Sequence, residues 1–426
     1  MSPENRRLEM EKLIFANANN RELNFKDKIF SVAAKYDEAV KAGNKDAVNA
    51  TIGALIDDSG KLVVFQSVVD CLKNLAPEDY ARYAPISGIP AYIEVAQKLA
   101  FGSHKPDMYT AACYTPGGTG ALRLFVSNYT KIRDSVITSD WYWANYKSIC
   151  TELQRSLTTY PLVDKDGKYN VAGLEAKVDE LLKTQDTLGI IINTPAHNPT
   201  GFSLTGEDWD KVLEMIRRKA PAESGKKVTI LVDAAYIDYT GDPDAERAFV
   251  KKFEKNPDNI LCLMAYSASK AFTMYGMRCG ALVCMTNNKD ICVEFENVAR
   301  FSSRATWSNG VRAAQTVVAN MYNDPKLREK LEAEREASNK MLLRRGKVFE
   351  EAAKECGLVT VPFDAGFFIA IPCDDPDAVC ELIFKRGLFP VPLAKGIRVA
   401  LSAVNEEQCK WIPGVIKECM DEYYGK

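Results

Sequence analysis

The chain has 426 residues, enough for a large apolar core and for two lobes. Apolar residues make up 46% and charged residues 26%, an ordinary globular composition that excludes a disordered or fibrous chain. A net charge of −2 gives no basis for a nucleic-acid or anionic-membrane partner, and no apolar run approaches the roughly 18–20 residues that cross a bilayer.

The N-terminus, Met1-Ser-Pro-Glu-Asn-Arg-Arg, leads into mixed charge without the apolar stretch of a secretory signal. Twelve cysteines are scattered with no CxxC pair, and the chain has two histidines. Reduced thiols in a cytoplasmic protein are therefore expected, and a structural metal site is not. Residues 1–50 read as helical and exposed. Asp27 to Gly43 carries apolar residues at Ile29, Val32, Tyr36, Ala39 and Val40, with glycine where the helix should stop. Asn49 to Gly60 reads as a short strand and turn. Tyr80 to Phe101 reads as a loop that opens an amphipathic helix, and on local grounds Tyr83 is a loop aromatic packing on its neighbours.

Residues 110–310 alternate short β-branched runs with helical patterns. The candidate strands are Ala112–Thr115, Ser135–Thr138, Leu157–Pro161, Gly189–Asn193, Val228–Asp233, Ile260–Ala265 and Gly280–Met285, with helices such as Leu174–Lys183 and Gly206–Lys219 between them. That alternation predicts βαβ units and a mostly parallel sheet covered on both faces. A long charged helix follows from Asp324 to Cys356, with Gly346 as a place to bend and Gly357 as its end. Strand Gly366–Ile371, helix Pro376–Arg386, strand Gly396–Leu401 and a terminal helix complete a second, smaller domain.

Five stretches carry chemistry. Thr115-Pro-Gly-Gly-Thr-Gly-Ala121 follows a strand and opens a helix, so it is either an anion cradle of backbone N–H groups or a tight turn. It is neither a Walker A loop nor a GxGxxG dinucleotide turn. Asp140-Trp-Tyr-Trp143-Ala-Asn-Tyr146-Lys offers aromatic faces, for a planar ring or for the core. Asn193-Thr-Pro-Ala-His-Asn198-Pro-Thr-Gly201 closes a strand, either as a plain Asn-Pro turn or with Asn198 donating to a ring oxygen; His197 reads as structural and is given no role.

In Val228-Thr-Ile-Leu-Val-Asp233-Ala-Ala-Tyr236 a carboxylate ends a buried strand, where open α/β sheets bind ligands. Such a carboxylate either caps the next segment or keeps a pyridine nitrogen protonated. Finally, Ser267-Ala-Ser-Lys270-Ala-Phe-Thr-Met-Tyr-Gly-Met-Arg278-Cys-Gly280 sets an amine, two hydroxyls and a guanidinium between two apolar runs. A lysine there can form a Schiff base, and the hydroxyls and arginine suit a phosphate. A phosphorylated aldehyde cofactor on Lys270 is the reading that joins them.

In this order, from about Asn49 to Arg398, the motifs resemble the fold-type I pyridoxal-phosphate-dependent aminotransferases of class I/II, in particular the aspartate/aromatic branch. The elements that carry the resemblance are Asn-x-x-Ile-Gly53, Tyr83 with Ser-Gly-Ile-Pro, and Gly-Gly-Thr-Gly-Ala. They continue with Asn-Pro-Thr-Gly, Asp-x-x-Tyr, Ser-x-Ser-Lys with arginine eight residues on, and the late Arg398. The resemblance implies a large α/β domain, residues 61–323, with a mostly parallel seven-stranded sheet flanked by helices. A smaller α/β domain would be built from residues 1–60 and from residues 324–426, which begin with the long connecting helix.

It implies pyridoxal 5′-phosphate as cofactor, amino acids and 2-oxo acids as substrates, and a homodimer with shared active sites. Lys270 would be the Schiff-base lysine and proton shuttle, Asp233 the partner of the ring nitrogen, and Tyr236 and Asn198 donors to the ring oxygen. Gly118, Thr119, Ser267 and Arg278 would hold the phosphate, with Ser269 structural, and Tyr83 would reach the phosphate of the neighbouring subunit. Trp143 would stack over the ring. Arg398, with Gly53 and Asn198, would clamp the substrate α-carboxylate, and Phe368 would lie near that arginine.

Two positions depart from the branch or leave it open. Its stacking tryptophan is followed by Pro-Asn-His and here by Ala-Asn-Tyr, so Tyr146 replaces the histidine that orients the aspartate, and Asp233 is expected to be positioned another way. Arg304, four residues before Ser308-Asn, lines up with the arginine that receives a side-chain carboxylate across the dimer; Arg300 and Arg312 compete for that role. The donor is thus aspartate, glutamate or an aromatic amino acid. A carbon–sulfur β-lyase on the same scaffold is the alternative.

Overall fold

The computed structural model describes residues 27–425. Its strands are β1 (Val48–Asn49), β2 (Tyr109–Thr115), β3 (Ser135–Ser139), β4 (Ser156–Tyr160), β5 (Thr187–Asn193), β6 (Lys227–Asp233), β7 (Ile260–Tyr266), β8 (Gly280–Thr286), β9 (Phe368–Pro372), β10 (Leu388–Phe389), β11 (Val391–Leu393) and β12 (Gly396–Ala400). Each of the seven candidate strands between residues 110 and 310 is present. They form one sheet in the order β2-β8-β7-β6-β5-β3-β4. β3 to β7 pair in parallel, and β8 runs antiparallel to both β2 and β7.

The reversal at β8 has a local cause. Between β7 and β8 the chain makes only a one-turn helix, Ala268–Ala271, and a 3-10 turn, Tyr275–Met277. A parallel return needs a full crossover, usually a longer helix, so this short link brings β8 back antiparallel. The lysine stretch is that link.

Both faces of the sheet are covered, which is why its central strands read as unbroken apolar runs. Successive residues still point to opposite faces. Ile190, Ile192, Ile230 and Val232 enter one core cluster, whereas Ile191, Leu231, Leu261 and Leu263 enter the other. A third cluster joins Val48 and Ala50 to Phe349, Ile369, Ile371, Ile397, Val399, Ile412 and Ile416. The N-terminal strand is thus built into the C-terminal core, through parallel pairing of β1 with β10. β11, β12 and β9 form an antiparallel sheet beside it.

The long helix runs Pro325–Cys356, with Asp324 capping its N-terminus, proline in its first turn and Gly357 left-handed at its end. It continues unbroken through Gly346. The glycine there admits the Phe363 ring: an added Cβ would lie 2.3 Å from it. The helix Lys28–Lys41 is capped by Asp27 and held to the C-terminal core by Lys28–Asp377 and Lys35–Glu381 ion pairs. No helix among the described residues is long and apolar enough to cross a membrane.

One buried network fastens the long helix to the large sheet. Asp238, just past β6, accepts from Arg247 and Arg335, each at 2.8 Å, and from the Tyr266 hydroxyl at 2.9 Å. Burial alone would raise the Asp238 pKa; the two guanidiniums and the tyrosine outweigh it and hold the carboxyl below its ordinary value. Asp238→Asn leaves two largely buried cations without their counter-charge and should cost about 3–5 kcal/mol. Calorimetric melting should show a drop of several degrees, and an unchanged melting temperature would contradict this account.

Candidate active site

A cavity of about 260 Å³ opens at the C-terminal edge of the sheet. Its walls come from Asn193 at the end of β5, Asp233 at the end of β6, Ser267 just past β7, and the turn after β2. Strand ends at such an edge leave a crevice that short side chains and helix N-termini can line. Gly53, Phe368 and Arg398 reach the cavity from the N-terminal segment and the second sheet.

Lys270 lies in the one-turn helix Ala268–Ala271, and Tyr239 holds its carbonyl with a hydrogen bond of 2.8 Å. Its amine donates to the Gly53 carbonyl at 2.9 Å. Burial, and then the Arg278 and Arg398 guanidiniums, bring its pKa down from 10.5 to about 8. An amine in this range can bind, give up and take back a proton near neutral pH.

Around the amine the chain builds an anion cradle. The helix Gly117–Tyr129 starts at the cavity, with Gly118 and Thr119 in its wall. Its free N–H groups and positive dipole end favour an anion. Arg278 takes a left-handed backbone, φ 49°, and donates to Ser269 Oγ at 3.3 Å and to the Tyr275 carbonyl at 3.0 Å. Gly117, φ 71°, makes room for it: a Cβ there would lie 2.5 Å from the guanidinium. Ser267 and Ser269 both line the cavity, and Ser269 Oγ also donates to the Cys279 carbonyl at 3.3 Å.

Asp233 is buried, and the Tyr146 hydroxyl donates to its Oδ2 at 2.5 Å. The Ala235 N–H donates to Oδ1 at 3.3 Å. Burial raises its pKa above the ordinary value, against the pull of these donors and of Asn193. Among the described residues it has no cationic partner. Asp233 was expected to be positioned in another way than by the histidine that Tyr146 replaces, and the way is a phenol: Tyr146 itself supplies the hydrogen bond. Helix Asn145–Glu152 carries Tyr146, and Trp143 meets it edge-on with centroids 5.9 Å apart while also lining the cavity.

Arg398 on β12 is buried, donates to the Thr51 carbonyl at 2.7 Å and to Asn198 Oδ1 at 3.3 Å, and packs over Phe368 at 4.3 Å. Among the described residues its Nε has no hydrogen-bond partner, and burial brings its pKa down to about 10. Gly53 packs tightly on Phe368, since a Cβ would sit 2.7 Å from that ring. Tyr236 packs against Phe367 and Phe368. His197 bonds Thr200 at 2.8 Å, and burial brings its pKa down to about 3, as suits a neutral structural histidine.

The cavity thus gathers Lys270, Asp233, Tyr236, Gly118, Thr119, Trp143, Asn198, Ser267, Arg278, Gly53, Arg398 and Phe368. It does not gather Tyr83 or Arg304. Tyr83 is 88% exposed, and Arg304 is exposed, bonding its neighbour Ser308 at 2.7 Å. Sequence reasoning missed four lining residues, Ile29, Leu122, Asn193 and Ala235. Asn193 accepts from Asn198 N–H at 2.6 Å and donates to the Asp233 carbonyl at 3.0 Å, locking turn to strand end. Ile29 reaches in from the helix Lys28–Lys41, a helix expected to be exposed. The apolar spacing of that helix was visible, but not which turn docks on the site.

The residues present fit pyridoxal 5′-phosphate. A hydroxyl-rich cradle with a guanidinium suits its phosphate, a perturbed amine suits its aldehyde, and a buried carboxylate without a counter-cation suits its protonated ring nitrogen.

The family model for aminotransferase class I and II matches residues 45–416. The mitochondrial aspartate aminotransferase of Dictyostelium discoideum is 28% identical over 312 residues, covering 68% of this chain and 68% of that one. The aromatic-amino-acid aminotransferase of Escherichia coli is 25% identical over 329 residues, covering 74% of this chain and 78% of that one. A crystal structure of an aminotransferase from Anaerococcus prevotii superposes with a TM-score of 0.93 at 35% identity, covering 96% of this chain and all (100%) of that one. The fold is shared with an aromatic-amino-acid aminotransferase from Burkholderia pseudomallei, covalently bound to pyridoxal phosphate, at a TM-score of 0.79 and 22% identity, over 96% of this chain and 100% of that one. With most of its length matched and the cavity assembled at the expected strand ends, the chain belongs to the class I and II aminotransferases.

Proposed function

We propose that this aminotransferase moves an amino group between an L-amino acid (aspartate, glutamate or an aromatic one) and a 2-oxo acid such as 2-oxoglutarate. The observation that carries the reading is the perturbed amine of Lys270 in one cavity with an anion cradle, the buried Asp233 carboxylate and the buried Arg398 guanidinium. Names of similar proteins favour transamination over the carbon–sulfur β-lyase.

When bound, pyridoxal 5′-phosphate supplies an aldehyde carbon open to amine attack and a protonated ring that takes up the electron pair left by the α-proton. Gly118 and Thr119 N–H groups, Ser267 and Arg278 hold the phosphate end. Lys270 would be the anchoring amine, and its Nζ, when free, would take up and return the proton of the substrate Cα. Asp233, oriented by Tyr146, keeps the ring nitrogen protonated. Asn198 and Tyr236 donate to the ring oxygen, and Trp143 gives the ring a flat wall. Arg398, a buried guanidinium in the cavity wall, receives the substrate α-carboxylate beside Gly53, Asn198 and Phe368.

Tyr83 and Arg304 complete the reading only in a pair of chains. In a homodimer with shared active sites, Tyr83 reaches the phosphate of the second copy and Arg304 the side-chain carboxylate of its substrate. Their exposure in the single chain supports this. The two-domain division, residues 61–323 against residues 1–60 with 324–426, follows the third core cluster, which joins β1 to the C-terminal strands. A cytoplasmic location fits twelve free cysteines.

Lys270→Ala should retain phosphate-end contacts yet lose turnover by about 10³-fold or more, and near-parental rates would sink the assignment. Tyr146→Phe removes one hydrogen bond to a charged group, which is worth about 1.5–3 kcal/mol. The dissociation constant for pyridoxal 5′-phosphate, from equilibrium dialysis, should therefore rise about tenfold or more; parental affinity would remove Tyr146 from the account. Arg304→Leu should cut aspartate turnover about 100-fold while sparing phenylalanine. Equal losses for both donors would refute the side-chain role.

A further inference from the structure

Residues 50–56 form a strap beside the cavity, hydrogen-bonded on two sides. Towards the second sheet, Arg398 donates to the Thr51 carbonyl at 2.7 Å, Ala400 N–H to the Ala50 carbonyl at 3.0 Å and Ile56 N–H to the Ser402 carbonyl at 2.8 Å. Towards the lysine segment, Lys270 donates to the Gly53 carbonyl at 2.9 Å, and Leu55 N–H donates to the Tyr275 hydroxyl oxygen at 3.1 Å. The Lys270 bond is lost whenever the amine is engaged elsewhere. The Tyr275 bond is not.

Tyr275 also faces the amine. Its ring centroid lies 5.0 Å from Lys270 Nζ, closer than that of Tyr236 at 5.6 Å. It sits in the 3-10 turn Tyr275–Met277, five residues past the lysine, so the short link between β7 and β8 folds it back over the amine. It is not part of the cavity wall. The other charged groups in the cavity are Arg278, Arg398 and Asp233. The two guanidiniums disfavour a charged amine, and the two ring faces favour one. Burial pushes the Tyr275 phenol up to about 12, so it stays neutral and acts through its quadrupole and its oxygen.

We infer that Tyr275 is a positioning residue with two actions: its ring face favours the ammonium form of Lys270, and its hydroxyl anchors the strap that carries Gly53. The inference rests on Lys270 as the reactive amine. It adds a residue that couples the state of that amine to the strap on which Arg398 leans.

Two variants separate the actions. Tyr275→Phe keeps the ring and removes the oxygen; Tyr275→Leu removes both. In the full chain freed of cofactor, the pH midpoint of Lys270 acetylation by acetic anhydride is read by peptide mass spectrometry. The Phe variant should keep the parental midpoint, and the Leu variant should fall about one unit below it. In the loaded enzyme both should raise KM for the amino donor roughly three- to tenfold, with only the Leu variant moving the pH profile. A Leu midpoint equal to the parental one overturns the ring's action, and a Phe KM equal to the parental one overturns the anchor. The midpoints do not depend on turnover, so a parent that binds no cofactor would defeat the proposed function while the midpoints still decide the action on Lys270.

Discussion

Desolvation of one lysine amine beside two guanidiniums is the constraint on which the rest of the site depends. Lys270 loses water to the ends of β5, β6 and β7 and feels Arg278 and Arg398, so it protonates near pH 8 rather than above 10. A solvated lysine would stay charged and inert. The sheet makes this environment possible. Buried central strands hold their ends in fixed register, and the antiparallel return into β8 sets the lysine in a link too short to wander. The same return brings Arg278 against Gly117, in a space no other residue type would leave open.

The second core acts on the site through shared anchors. The long helix is tied to the large sheet by Arg335 on Asp238, and to the strap by the buried Arg345, which donates to the Ile56 carbonyl at 2.9 Å and to Asp58 at 2.7 Å. The strap in turn meets Arg398 on one side and Lys270 on the other. Arg398 and the Lys270 amine therefore share a single stretch of backbone.

Much of this was legible in the sequence, for identifiable reasons. The seven long strands announce themselves because strands buried on both faces must be apolar throughout. Asp233, Asn198 and Lys270 stand out because each closes a strand or a turn with a residue the core would not choose. By contrast β1, β10 and β11 are two or three residues long and carry no period to read. Tyr146 was visible only as a departure from a pattern, since whether a phenol reaches a carboxylate depends on how helix Asn145–Glu152 docks. Ile29 was hidden for the same reason: which turn of its helix meets the cavity depends on how Val32, which is buried, and Tyr36, edge-on to Phe389, dock it. Gly346, expected to bend the long helix, instead makes room for a neighbouring ring.

The central claim is that Lys270 carries the cofactor. Borohydride reduction of the purified, cofactor-loaded protein, followed by peptide mass mapping, tests it directly by fixing the cofactor to whichever amine holds it. The account predicts a single pyridoxyl adduct on Lys270. An adduct on another lysine, or none, would contradict it.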